Sequence, residues 1–335
     1  MKIKTFLPIL LMLMGCFFGE IQAQVLYSPY KQIPVAGDGN WDYLSVDSKN
    51  RNLYLSHGDR VDIVNVDRDE VIGSIGDQHG VHGIAIDLLD NKGFISNGKS
   101  SDVTVFDLKT RKVLAHVPST GTGVDAITYN PLLDYVLVHN SKSHSITVID
   151  GKTNAVKGTI DAQGKTEFGV SDLKGFYYVN LEAEGKIAKI DLKKMKVVTL
   201  FELKPDHDPA GMAIDLKNNL LFCGARSNNL VVLDASNGNI ITTVPIGDHN
   251  DAVVFDPESK FIYVSSILAD ITIIHQESRN TYKLVQHVNT KLFSKTMALD
   301  MKTKKVYLPS ADWTGSDEKT AKIIPGTFKA LVFKK

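Results

Sequence analysis

The chain has 335 residues, with 38 Lys and Arg against 38 Asp and Glu, 43% hydrophobic residues and two cysteines. A neutral balance gives no general attraction to nucleic acid or to an anionic membrane, and so argues against both as partners. A chain of this length can bury enough surface to hold a core without crosslinks.

At the N-terminus, Lys2 and Lys4 precede an apolar run from Thr5 to Phe18, and Ile21, Gln22 and Ala23 follow. A basic region, an h-region and a small residue at the cut describe a signal peptide over residues 1–23, with Gln24 as the first mature residue. The run is shorter than the roughly 20 residues that span a bilayer. A rival reading takes Leu13-Met14-Gly15-Cys16 as a lipobox with Cys16 lipidated. Met14 fits that pattern poorly, and Phe17 and Phe18 stand where a polar spacer is expected. Cleavage after Ala23 leaves Cys223 as the one cysteine, so no intramolecular disulfide forms. The expected location is periplasmic or secreted, and no later segment reads as transmembrane.

Residues 24–335 are organised by a repeat. Short apolar segments ending in Asp or Asn recur at Tyr43–Asp47, Gly83–Asp87, Ala126–Asn130, Gly169–Asp172, Gly211–Asp215, Ala252–Asp256 and Thr296–Asp300, their ends 40 to 44 residues apart. A second strand follows each, as in Leu53-Tyr54-Leu55 or Phe261-Ile262-Tyr263-Val264, and then a third, as in Val103–Phe106 or Ile146–Ile149. A fourth closes the unit, as in Lys112–Val117 or Ile240–Val244. The runs are rich in Val, Ile, Tyr and Phe and are bounded by Gly, Asn, Asp and Pro, which is strand-and-turn chemistry. No sustained helical period occurs, so barrels and doubly wound folds with helices are disfavoured. Seven such units predict an all-β fold, a seven-bladed β-propeller with four-stranded blades. The last repeat supplies three strands, ending at Lys335, and the segment Tyr30–Val35 resembles the fourth strand of blade six, Tyr282–Val288. The N-terminal strand is therefore expected to complete blade seven and remove the open edge.

These residues also carry a family resemblance. Tyr178-Val179-Asn180 is close to a signature tetrapeptide, Val103-Thr104-Val105-Phe106-Asp107 and Ile146-Thr147-Val148-Ile149-Asp150 match the strand after it, and Gly123–Ile127 and Asp251–Pro257 match the opening of a blade. From about Val25 to Lys335 the chain resembles the YVTN-repeat β-propellers, the YncE-like proteins of bacteria. The resemblance implies an exported propeller used for binding. One branch of that family is linked to single-stranded DNA, which the neutral charge here opposes.

In a propeller the inner strands line the channel, so equivalent positions converge at its mouth. Five residues before the end of each inner strand stand Asp42, His82, Asp125, Glu167, Ala210, Asp251 and Lys295. Ten residues after the end, or eight in blade four, stand His57, Asn97, Asn140, Asn180, Ala225, Ser266 and Ser310, with Arg226 beside Ala225. Loops leading into the inner strands add His79, His207, Asp208, Asp248 and His249. The candidate ligand-binding set is Asp42, His57, His82, Asn97, Asp125, Asn140, Glu167, Asn180, Arg226, Asp251 and Lys295. Carboxylates, imidazoles and amides suit a divalent cation or a small polar ligand held directly. Against this stands a plainer reading, in which such residues bond neighbouring backbone and channel water. The Asp and Asn residues that end the inner strands read as turn formers, Cys223 as a buried small hydrophobe, and His116 and His287 as surface residues of outer strands. Between its second and third strands blade seven carries a long insert, Asp312 to Thr327, whose Trp313, Lys319, Lys322 and Pro325 could cover a ligand at the mouth.

No phosphate loop, dinucleotide fingerprint, paired-cysteine motif, zinc-protease helix or serine-hydrolase elbow is present. The first functional reading is a non-enzymatic binding propeller, a monomer that takes a small polar ligand or an exported protein partner. The second is a metal-dependent hydrolase or lyase of the gluconolactonase type at the same mouth, and the third a protein-interaction platform on the broad face.

Overall fold

The computed structural model describes residues 27–317 and 319–335. The expected signal peptide and Cys16 lie outside the described residues. Seven four-stranded antiparallel sheets carry 28 strands, and no helix occurs among the described residues. The protein is a seven-bladed β-propeller, as the repeat spacing predicts.

Blade two shows the pattern. Its strands, from the channel outward, are Val81–Asp87, Lys92–Asn97, Asp102–Asp107 and Val113–Pro118. The second and third strands are buried along almost their whole length, whereas the outer strand is mostly exposed. A middle strand is covered on both faces by the neighbouring blades, so both of its faces must be apolar. The core is accordingly shared between blades. Phe94, Val103 and Val105 of blade two pack against Val136, Val138 and Ile149 of blade three.

Closure follows the same logic. Ser28–Pro34 pairs antiparallel with Lys329–Lys334, with Ile33 opposite Ala330. Lys329–Lys334 then pairs with Val306–Ser310, and that strand with Ala298–Leu299. The N-terminal strand is thus the fourth strand of blade seven. Ile33, Tyr307 and Val332 of that composite sheet bury against Leu44, Leu53 and Leu55 of blade one. A ring sealed by a strand from the other end has no free edge at the seam. The inner strand of blade seven, Ala298–Leu299, is shorter than the expected Thr296–Asp300, and the residues before it bond across blades. The Thr296 hydroxyl donates to the Asp42 carbonyl, and the Ser265 hydroxyl to the Lys295 carbonyl.

Candidate functional site

Five of the seven five-before positions sit where the inner strand slips register against the second. The slip falls between Val81 and Ile84, Val124 and Ile127, Thr166 and Gly169, Pro209 and Met212, and Asn250 and Ala252. A bulge inserts a residue and re-aims its side chain, and here it brings His82, Asp125, Glu167 and Asp251 toward the channel. Ser96 pins one of them, accepting from the Gly83 N–H at 2.7 Å and donating to the Asp125 carbonyl at 2.6 Å. Gly98 makes room for another: a methyl group there would come within 2.7 Å of His82 Nε2.

The side chains of one ring meet. His82 Nδ1 lies 2.7 Å from Asp42 Oδ2 and 3.5 Å from Asp125 Oδ1. Lys295 Nζ lies 3.6 Å from Asp42 Oδ1, and Arg226 Nη2 lies 3.4 Å from Asp251 Oδ1. Arg226 also pairs with Glu182, whose other oxygen pairs with Lys165. Above the ring opens a cavity of about 1310 Å³, lined by Asp42, His82, Asp125 and Lys295 and walled on one side by Trp41, Phe293 and Trp313. Below, Tyr43 and Phe168 face each other across the channel with ring centroids 5.5 Å apart, and both line an inner, largely apolar cavity.

Electrostatics mark the ring as crowded with acid. Burial, then the charges of Asp125 and Asp251, pushes the Glu167 carboxyl up to about 8. Burial and Asp42 push Asp125 up to about 6. Burial also raises Asp251, against the pull of Lys295. The Asp42 charge holds Lys295 well above the usual ammonium range, although burial opposes it. For His82 burial disfavours the charged ring, but the Asp42 hydrogen bond and the Asp125 charge outweigh it, so its pKa rises. Tyr43 is raised by burial and then by the Glu167 and Asp125 charges.

The asparagines of the other predicted ring do not join this cluster. Asn97 is buried, donating to Asp102 and Thr104, each at 3.0 Å. Asn140 donates to Ser145 at 3.2 Å and Thr147 at 3.0 Å, and Asn180 donates to the Ala210 carbonyl at 2.6 Å. Their amides brace the turn that ends each second strand, because a buried amide must be bonded and the nearest partners are in the same or the adjoining blade. His57 is buried, with Nδ1 2.6 Å from Asp62 and its ring 4.0 Å from that of Phe328. It also lines the mouth cavity, beside Asp42 and Gly58. His79, His207 and His249 stand exposed at the rim, the last two paired with the adjacent Asp208 and Asp248. Cys223 is buried, and burial raises its thiol well above the usual range, as fits a small residue packed in the core.

Glu182, Lys165, Tyr43, Trp41 and Phe293 belong to the site and were not in the predicted set. Trp41 and Tyr43 flank Asp42 in sequence, Lys165 and Phe293 lie two residues before Glu167 and Lys295, and Glu182 lies two residues past Asn180, so widening each ring position by two residues finds all five. The insert of blade seven does reach the mouth. Trp313 packs edge-on against Phe293 at 4.5 Å and against Trp41 at 5.8 Å. Asp312 anchors it to Lys291 at 2.5 Å and Lys329 at 2.9 Å, and the Gly326 N–H donates to Asp38 at 2.6 Å. Lys319, Lys322 and Pro325 are exposed on the insert.

No family model and no curated protein matches this chain. Solved structures do resemble it. A structure of hydrazine synthase from Kuenenia stuttgartiensis superimposes with a TM-score of 0.70 at 15% identity, covering 84% of this chain and 94% of that one. A chain in a structure of the mitotic checkpoint complex superimposes with a TM-score of 0.77 at 12% identity, covering 100% of this chain and 98% of that one. At such identities the likeness concerns the fold alone, and on that level the chain is a seven-bladed β-propeller.

Proposed function

We propose that this chain is an exported YVTN-repeat propeller of the YncE-like kind, and that it binds a small ligand rich in hydrogen-bond donors, an amine or an aminated or polyhydroxylated molecule, at the channel mouth. The observation that carries this reading is the surplus of carboxyl groups. Asp42, Asp125, Glu167, Glu182 and Asp251 converge, and the cations among them do not prevent Glu167 from being pushed up to about 8. A ligand that brings N–H or O–H donors or positive charge relieves that repulsion, whereas a polyanion would add to it. Trp41, Phe293 and Trp313 offer an apolar wall against which the flat face of such a ligand packs. The export signal at the N-terminus supports a periplasmic or secreted location. Among the described residues no helix is long and apolar enough to cross a membrane.

The test is calorimetry with putrescine and glucosamine as aminated probes, on the parent and on a variant carrying Asp125→Asn and Glu167→Gln. Binding to the parent that falls at least tenfold in the variant supports the reading. Binding of an oligonucleotide with no response to either probe overturns it.

One observation favours a second reading. Ligand atoms of Asp42, His82 and Asp125 lie within 4.8 Å of one another, a set that could take a divalent cation. A metal there would polarise a carbonyl or lower the pKa of water, the requirement of a metal-dependent hydrolase or lyase. Lys295, 3.6 Å from Asp42, opposes a cation at that point. Metal analysis of the purified protein separates the readings, since a stoichiometric cation lost with His82→Ala moves the assignment to the second.

A further inference from the structure

The opposite face of the propeller carries a separate set of carboxylates. There each inner strand ends in Asp or Asn, and one oxygen of that residue accepts the N–H two residues on, as Asp47 does from Lys49 and Asp87 from Leu89. This is the ordinary turn-forming bond of Asp and Asn. What differs among blades is the other side-chain atom. In blade one, Asp47 Oδ2 accepts from the Asn50 amide at 2.7 Å, and in blade five Asp215 Oδ2 accepts from Asn218 at 2.6 Å. In blade six, Asp256 accepts from Ser259 at 2.5 Å and pairs with Lys304 of the next blade at 2.9 Å. In blade seven, Asp300 accepts from Thr303 and pairs with Arg51 of blade one, each at 2.6 Å. In these four blades the donor three residues on, or the cation from the next blade, satisfies the buried carboxylate; in blade four Asp172 accepts three backbone N–H groups on one oxygen.

Blade two breaks both rules. The residue three past Asp87 is Asp90, which in its ionised form has no hydrogen to give. The position in the next blade that holds Lys304 and Arg51 elsewhere is Asp134. Asp87 is fully buried, and its Oδ2 has no hydrogen-bond partner. Ligand atoms of Asp87, Asp90 and Asp134 lie within 4.8 Å of one another. Lys92, the nearby cation of this junction, donates instead to the Gly151 and Lys152 carbonyls and to Asn154. Asp134 is held in place by the Tyr129 hydroxyl at 3.0 Å and by close packing on Gly151, where a methyl group would come within 2.1 Å of its carboxylate. Burial and then the Asp87 charge raise the Tyr129 hydroxyl, so the negative field at the junction is felt by its neighbours.

We infer that Asp87, Asp90 and Asp134 hold a hard divalent cation of the calcium type, which joins blades two and three as Lys304 joins six and seven. A buried carboxylate oxygen without a donor is costly, and three convergent carboxylates repel one another; one divalent cation removes both costs. Donors that are all oxygen select a hard cation over a softer transition metal. Asp90 is exposed, so the cation exchanges with solvent from that side, and water completes its shell.

The experiment uses chelator-stripped protein and calcium chloride, read by calorimetry and by the thermal midpoint. Three single variants accompany the parent. Asp134→Lys copies the blade six–seven junction, Asp87→Asn copies Asn130 at the same position of blade three, and Asp125→Asn removes an acid of the mouth. The parent and Asp125→Asn bind calcium and gain several degrees. Asp134→Lys and Asp87→Asn bind at least tenfold more weakly and show no gain, and Asp134→Lys without calcium is no less stable than the stripped parent. A parent indifferent to calcium, a response kept in both Asp134→Lys and Asp87→Asn, or a response lost only in Asp125→Asn overturns the inference.

Discussion

Replacing Glu167 by Gln tests whether the mouth is held together at a cost. The unfolded chain ionises Glu near 4.5, whereas in the folded protein the group is pushed up to about 8. Between those values the folded state binds more protons than the unfolded one, so this group's contribution is fully present below pH 4.5 and is lost as pH rises through about 8. The full difference corresponds to about 5 kcal/mol at about 1.4 kcal/mol per pH unit. Although mostly withdrawn from water, Glu167 keeps part of its surface open to the channel, so water screens some of the repulsion, and the realised penalty is about 1–2 kcal/mol. Glu167→Gln keeps the shape and removes the charge. Thermal unfolding in the presence of chelator should therefore find the variant a few degrees more stable than the parent at pH 8 and equal to it at pH 4.5. Asp125, pushed up to about 6, adds a smaller loss over a lower window in both proteins. A variant that is equally stable at pH 8, or destabilised by the same amount at both pH values, would refute the argument. The carboxylate would then be a structural hydrogen-bond acceptor rather than a strained site group.

Deleting residues 25–35 should open blade seven. Tyr27, Ile33 and Val35 are each at most 4% exposed, and removing them with a whole strand of backbone bonds costs several kcal/mol, at roughly 1.5–3 kcal/mol per buried large side chain. An unchanged thermal midpoint would remove the closure argument. Mass spectrometry of the protein recovered after export should find Gln24 at the N-terminus, and a lipid on Cys16 would place it on a membrane instead.

The blades were legible in sequence because each is a self-similar unit of strands and turns, and the 40- to 44-residue spacing survives without any contact being known. Even the closure at Ile33 and Ala330 could be read, since a three-strand last repeat demands a partner and one strand stood unused at the other end. The same register logic picked out Asp42, His82, Asp125, Glu167, Asp251 and Lys295, because equivalent offsets in a ring must converge. Direction was not legible. Asn97, Asn140 and Asn180 occupy equally regular offsets, yet their amides turn into the protein toward Thr104, Thr147 and Ala210. Position along a strand is a local property, whereas which bond a side chain makes depends on what the neighbouring blade presents. The turn aspartates make the point most sharply. Asp87 and Asp256 are the same residue at the same place in the repeat, and only the packing of blade against blade decided that one meets Lys304 and the other meets Asp134, because that pairing joins residues more than 45 positions apart whose proximity is created by the ring itself.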